Sequence, residues 1–244
     1  MDIIQSGEIG ERLRDVRARM EEACGRAGRD MREVTLIAVS KTHPAEAVLQ
    51  AYAAGQTLFG ENRVQELREK VPAVQALLQD TGQGASLSWH LIGTLQTNKV
   101  RYLPKLEGLS MIHSVDSEKL AVEIERQYEA AGCSVDVLLE VNMAHEETKK
   151  GLAPEEVRGL LEAIAPLSHL RVKGLMTIAP LTEEAESNRV YFRDLAGLMR
   201  DLNRAALLPA PMTELSMGMS GDYGVAIEEG ATYVRVGTAI FGAR

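Results

Sequence analysis

Aromatic residues are scarce in this 244-residue chain, at 4% of the total. Any core must therefore be aliphatic. There are two cysteines, Cys24 and Cys133. They form no CxxC pair and no metal-ligand spacing, and they read as two buried thiols of a reducing compartment. No basic block is present, and the formal net charge is −8. That balance argues against nucleic acid and against an anionic membrane surface as partners. No apolar run approaches the roughly 20 residues of a membrane-spanning helix. The N-terminus, MDIIQSGEIGERLR, becomes charged too early for a secretory leader. The expected location is the cytoplasm. No GxSxG or P-loop occurs. HEETK at 145–149 departs from HExxH at the residue that would be the second ligand, so no metal site is expected.

A regular rhythm fills the rest of the chain. Ile9, Leu13, Val16, Met20 and Cys24 mark one face of an initial helix, with Gly25 and Gly28 as stop signals. Eight short apolar runs follow: Thr35–Ser40, Thr57–Gly60, Ser88–Ile92, Ser110–Ser114, Val135–Asn142, Val172–Ile178, Thr213–Ser216 and Tyr233–Val236. Helical patterns stand between most of them. Pro44 opens one, Asn62–Leu78 forms another with a kink or break expected at Pro72, and Ser117 caps a third. Others start at Pro154, span Glu183–Leu207 and cover Asp222–Glu229. Runs such as VDVLLEV lack period-two alternation, as in parallel strands covered on both faces. Eight strand–helix units in this length predict an α/β fold of the (β/α)8 TIM-barrel type, with one extra N-terminal helix. A doubly wound sheet would usually carry a Gly-rich loop after its first strand, where this chain has SKTHP. Residues 1–244 read as one domain.

Barrel sites lie at the C-terminal strand ends. Two features stand out there. The seventh and eighth strands run into SMGMSGDYG and VGTAIFG, small-residue loops whose backbone N–H groups suit a phosphate; each loop alone would pass as turn residues. Lys41 follows the first strand. Desolvation and cationic neighbours would lower the ammonium pKa, and a neutral amine can condense with an aldehyde. Aldehyde and phosphate together suggest pyridoxal 5′-phosphate (PLP). A solvated lysine after a strand is the plain alternative, and a cofactor-free lysine aldolase acting on a sugar phosphate is another. Arg235, inside the eighth strand, needs a partner. It donates either to a pyridine nitrogen or to an acidic residue such as Glu61 or Glu140. The five histidines show no cluster in sequence, and His90 reads as a core or supporting residue. Lys149 and Lys150 read as solvated.

AVSKTHP, FGENRVQE, WHLIGTLQTNK, IHSVDS, VNMAHEETKKG, GLMTIAP, LSMGMSGDY and VRVGTAIFGAR resemble, in that order, the signature segments of the pyridoxal phosphate homeostasis protein family. That family is similar to the barrel domain of alanine racemase. The resemblance implies PLP held as a Schiff base on Lys41, with Arg235 at the pyridine nitrogen. It places Ser216, Gly218, Ser220, Gly237 and Thr238 near the phosphate, and Asn62 and Met176 along the ring. Gly224 departs from the pattern, which expects a larger residue there. The implied role is to hold, buffer or deliver PLP in vitamin B6 homeostasis without substantial turnover, with PLP-dependent apo-enzymes as recipients. A monomer is expected, because no extra domain or apolar helix advertises an interface. A racemase of the alanine racemase barrel type is the alternative. It would need a second base, for which the sequence offers no candidate, and the chain ends at Arg244, directly after the eighth unit.

Overall fold

A computed structural model describes residues 7–80, 87–146 and 150–242. Eight parallel strands pair in chain order and close into a barrel: β1 (Thr35–Val39), β2 (Leu58–Glu61), β3 (Ser88–Leu91), β4 (Leu109–Val115), β5 (Val135–Glu140), β6 (Leu170–Met176), β7 (Glu214–Ser216) and β8 (Tyr233–Val236). The eighth closes on the first, with Ile37 opposite Arg235 and Ala38 opposite Val236.

Helix α1 (Gly7–Ala27) precedes the barrel. It lays Leu13, Val16, Met20 and Cys24 on the apolar layer, as its spacing predicts. Gly25 does not stop it; the helix runs on to Ala27 and ends at Gly28, whose φ of +65° suits glycine. Helices α2 (Ala45–Ala53), α3 (Val64–Asp80), α4 (Glu118–Ala130), α5 (Val157–Ile164), α6 (Arg189–Arg204), α7 (Tyr223–Glu228) and α8 (Thr238–Phe241) complete the units. A 3-10 run, Thr97–Lys105, replaces the helix between β3 and β4.

Two helical expectations need correction. Pro72 does not break α3. A proline inside a helix costs about 3 kcal/mol, but Leu67, Val71, Val74 and Leu78 are buried along one face of this helix and hold it on the barrel. The expected helix from Glu183 starts later: a 3-10 turn, Ala185–Asn188, precedes α6. Of the two cysteines, Cys24 is buried but Cys133 is exposed, in the turn after Gly132 that leads into β5.

The main core lies between strands and helices. The lumen is smaller and mixed. Ile37, Val39 and Ile92 form one apolar cluster and Met111, Leu138 and Met176 another, with Tyr233 touching both. His90, His113, Ser216 and Arg235, all buried, complete it. Among the described residues no helix is long and apolar enough to cross a membrane.

Candidate functional site

At the C-terminal end of the barrel lies a cavity of about 310 Å3. That is at the lower end of the roughly 300–1,000 Å3 of small-molecule sites. Lys41, Asn62, Ser220, Arg235, Gly237 and Thr238 all line it. Sequence reasoning had spread these six over four strand ends; barrel closure brings them together.

Lys41 sits in a tight turn, in which His43 N–H donates to Ser40 O at 3.0 Å. The next residue, Thr42, has φ +66°. A β-branched residue there is an outlier costing roughly 1–3 kcal/mol. The surroundings hold it: Thr42 N–H donates to Glu66 Oε2 at 3.0 Å. Beneath the turn, Ser40 Oγ donates to Glu61 Oε1 at 2.7 Å, and Lys70 Nζ donates to Ser40 O and to Glu61 Oε1. Glu61 is fully buried, and its Oε2 receives no donor. Burial pushes Glu61 up to about 7 despite the Lys70 charge, and the adjoining Glu66 carboxyl pushes the same way. A proton on Oε2 would satisfy both carboxyls, so the lack of a donor and the raised pKa agree.

Arg235 enters from β8. Its Nη1 donates to Ser216 Oγ and its Nη2 to Thr177 O at 2.8 Å. Neither acidic partner considered from sequence bonds it: Glu61 is committed to Lys70, and Glu140 acts only through space. Burial lowers Arg235 to about 10, opposed by Asp222 and Glu140, so it stays charged at neutral pH. Glu140 is itself raised to about 7, by burial and then by Asp116.

The loop after β7 is folded by Asp222. Its Oδ1 accepts Met219 N–H at 2.6 Å, and its Oδ2 accepts Asn188 Nδ2 at 2.7 Å. Gly218 has φ +88°, and a Cβ there would stand 2.6 Å from Ala226 Cβ. A Cβ on Gly237 would meet Val39 O at 3.1 Å. The N–H groups of Gly237 and Ala239 converge on Ser220 Oγ at 3.3 and 3.4 Å, long contacts around one point. Gly93 lets the loops after β2 and β3 touch, since a Cβ there would lie 2.4 Å from Asn62 O.

Three of the expected residues, Met176, Ser216 and Gly218, stand behind the cavity wall. Met176 packs with Met111 and Leu138. Ser216 lies beneath Arg235, and Gly218 O accepts Arg235 N–H. Sequence reasoning missed His43, stacked on Phe241 at 5.1 Å, and the wall from Leu181 to Asn188. It also found no histidine cluster, yet His90 and His113 meet at 2.9 Å across adjacent strands. No group of three or more metal-ligating residues occurs among the described residues. Lys149 lies outside them; Lys150 is exposed.

An amine at the mouth, a buried guanidinium one layer deeper and a backbone cradle beside both make a site for a small aldehyde bearing a phosphate. The class to which this barrel belongs is that of the family model described as alanine racemase, N-terminal domain, which residues 12–244 match. An alanine racemase from Corynebacterium glutamicum shares the fold, with a TM-score of 0.65 at 17% identity, over 98% of this chain and 61% of that one. Within that class, the chain belongs to the pyridoxal phosphate homeostasis protein family. The Aquifex aeolicus member is 45% identical over 96% of this chain and 97% of its own length. PipY of Synechococcus elongatus, in its structure with PLP bound, is 40% identical with a TM-score of 0.79, over 96% of this chain and all of that one.

Proposed function

We propose that this protein binds PLP reversibly, with Lys41 Nζ holding the aldehyde carbon, and buffers or delivers it for vitamin B6 homeostasis. The observation that carries this reading is that Lys41 and Arg235 line one cavity, with Ser220, Gly237 and Thr238 beside them. The 40% identical relative whose structure contains PLP supports it. When bound, PLP supplies an electrophilic aldehyde carbon and an electron-withdrawing ring.

Each residue then has a task. Arg235, a permanent donor, faces the pyridine nitrogen and keeps it unprotonated. Gly237 N–H, Ala239 N–H and the hydroxyls of Ser220 and Thr238 take the phosphate oxygens, while Gly218 gives the loop its bend. Asn62 flanks the ring. Met176 and Ser216 support the floor from below.

The site is poorly equipped for turnover. Racemisation needs a base on each face of the bound substrate. Lys41 and His43 come from one turn, two residues apart, and the Asp222 carboxylate is occupied by Met219 N–H and Asn188. We read the protein as a cytoplasmic monomer that passes PLP to apo-enzymes. Equilibrium dialysis against PLP, followed by amino-acid α-proton exchange in heavy water, tests this. One PLP per chain with no racemisation is expected. No uptake would refute binding, and sustained racemisation would refute the quiet carrier.

A further inference from the structure

Four buried polar side chains form a row through the barrel lumen. Arg235 Nη1 donates to Ser216 Oγ, Ser216 Oγ lies 3.0 Å from His113 Nδ1, and His113 Nε2 lies 2.9 Å from His90 Nδ1. They come from β8, β7, β4 and β3. The Tyr233 ring meets both imidazoles edge-on, with centroids 5.3 and 5.9 Å away.

The direction of this row follows from the chemistry of its first member. A guanidinium has donors only. Ser216 Oγ therefore accepts from Arg235, and the hydroxyl proton needs an acceptor of its own. Among the described residues, His113 Nδ1 is the acceptor within reach. His113 then carries its proton on Nε2 and gives that bond to His90 Nδ1, which leaves His90 protonated on Nε2. The reverse order makes Ser216 accept from both sides and leaves a buried hydroxyl proton unbonded. An imidazolium at His113 leaves the same orphan. Burial, His90 and the Arg235 charge all hold His113 neutral, and burial lowers His90 to about 3.

We infer that His113 is a positioning residue for Arg235. Through Ser216 it fixes the guanidinium in one orientation, leaving the donors not spent on Ser216 and Thr177 for the cavity. This rests on the PLP reading in one respect: the group that Arg235 meets is the pyridine nitrogen. A row that can run in one direction only keeps a donor aimed at that nitrogen, and so controls how firmly the ring is held.

Two measurements test it. Nitrogen-15 NMR of the histidines in PLP-free protein, assigned with His90→Asn and His113→Asn, reads the tautomers directly. Both residues are expected neutral, with the proton on Nε2, and silent through the neutral pH range. A His113 proton on Nδ1, or titration near the ordinary value of about 6.5, would overturn the inference. The second measurement is PLP affinity with the absorption maximum of the loaded protein. His113→Asn can place an amide oxygen where Nδ1 accepts, and should stay within about twofold of wild type. His113→Leu cannot accept, and should lose roughly five- to tenfold with a shifted maximum. Equal losses in both variants would make His113 mere packing and overturn the positioning role. Failure of the wild type to take PLP would sink the proposed function instead, and the tautomers of the PLP-free protein decide the row independently.

Discussion

Lys41 and Arg235 reach one cavity from neighbouring strands at different depths: Ile37 is the register partner of Arg235, and Lys41 lies four residues beyond Ile37. One charge stands at the mouth and the other at the floor. Arg235 is committed to Ser216 and Thr177, whereas Lys41 sits in a turn that strand β1 only begins to constrain. In the proposed function, a ligand spanning the two would meet the Lys41 side chain at one end and a fixed donor at the other.

Replacing the floor donor should weaken both binding and folding. Arg235→Leu would remove the proposed charged hydrogen bond to the ring, and PLP affinity should fall roughly ten- to hundredfold. Thr177 O and the Ser216 hydroxyl lose a donor, so stability should fall by about 1–3 kcal/mol in urea unfolding. An unchanged affinity would remove Arg235 from the site.

The cradle depends on a missing side chain. Gly218→Ala forces an L-residue to φ +88° and drives Cβ to 2.6 Å from Ala226 and 2.9 Å from the Tyr223 backbone. Stability should drop by about 1–3 kcal/mol, with PLP retention lost. Gly221→Ala has nothing within 4 Å of its Cβ and should stay within about 0.5 kcal/mol of wild type. Thermal melts of the two variants side by side make the comparison.

The turn carrying Lys41 is held through Glu66. Glu66→Ala removes the acceptor of Thr42 N–H and leaves the left-handed Thr42 unsupported. PLP affinity should fall by about tenfold, while Thr42→Gly, which tolerates that backbone, should restore part of it. Fluorescence titration with PLP reads both.

Glu61 gives a pH dependence of definite sign. Its folded pKa, about 7, lies above the ordinary glutamate value of 4.5. The folded state therefore holds a proton that the unfolded chain releases earlier. The stabilisation is fully present below about 4.5 and is lost as pH rises towards about 7, with a slope of at most about 1.4 kcal/mol per pH unit. Glu61→Gln keeps an acceptor for Lys70 and Ser40 and should flatten the fall over that window. Urea midpoints of both proteins from pH 4.5 to 7 read the difference. Parallel curves would show that Glu61 does not carry the proton.

The sequence was most informative where one residue type has one use. The aliphatic runs located all eight strands, because parallel strands covered on both faces leave continuous apolar stretches. Their ends moved by a residue or two, since pairing with neighbours decides where a strand stops. Pro72 misled for a related reason: local preference against helix lost to burial of an apolar face. Gly25 misled because a single glycine costs a helix only about 1 kcal/mol. The site was legible at Lys41 and in the two small-residue loops. His113 was not. A histidine inside an apolar run does not announce that it faces the lumen, and its partner His90 comes beside it only through the pairing of β3 with β4, next to a register shift at Trp89/His90. The cavity wall from Leu181 to Asn188 was equally hidden, because it lies past the strand end in a stretch without a motif.

The central claim is that Lys41 holds PLP. Purified protein and Lys41→Ala should each be incubated with PLP, scanned through the near-ultraviolet and visible, reduced with borohydride and digested for mass spectrometry. The account predicts a long-wavelength band in the wild type alone, and a single peptide, containing Lys41, made heavier by one pyridoxyl phosphate group. A band of equal strength in Lys41→Ala, or modification spread over surface lysines with Lys41 untouched, would contradict it.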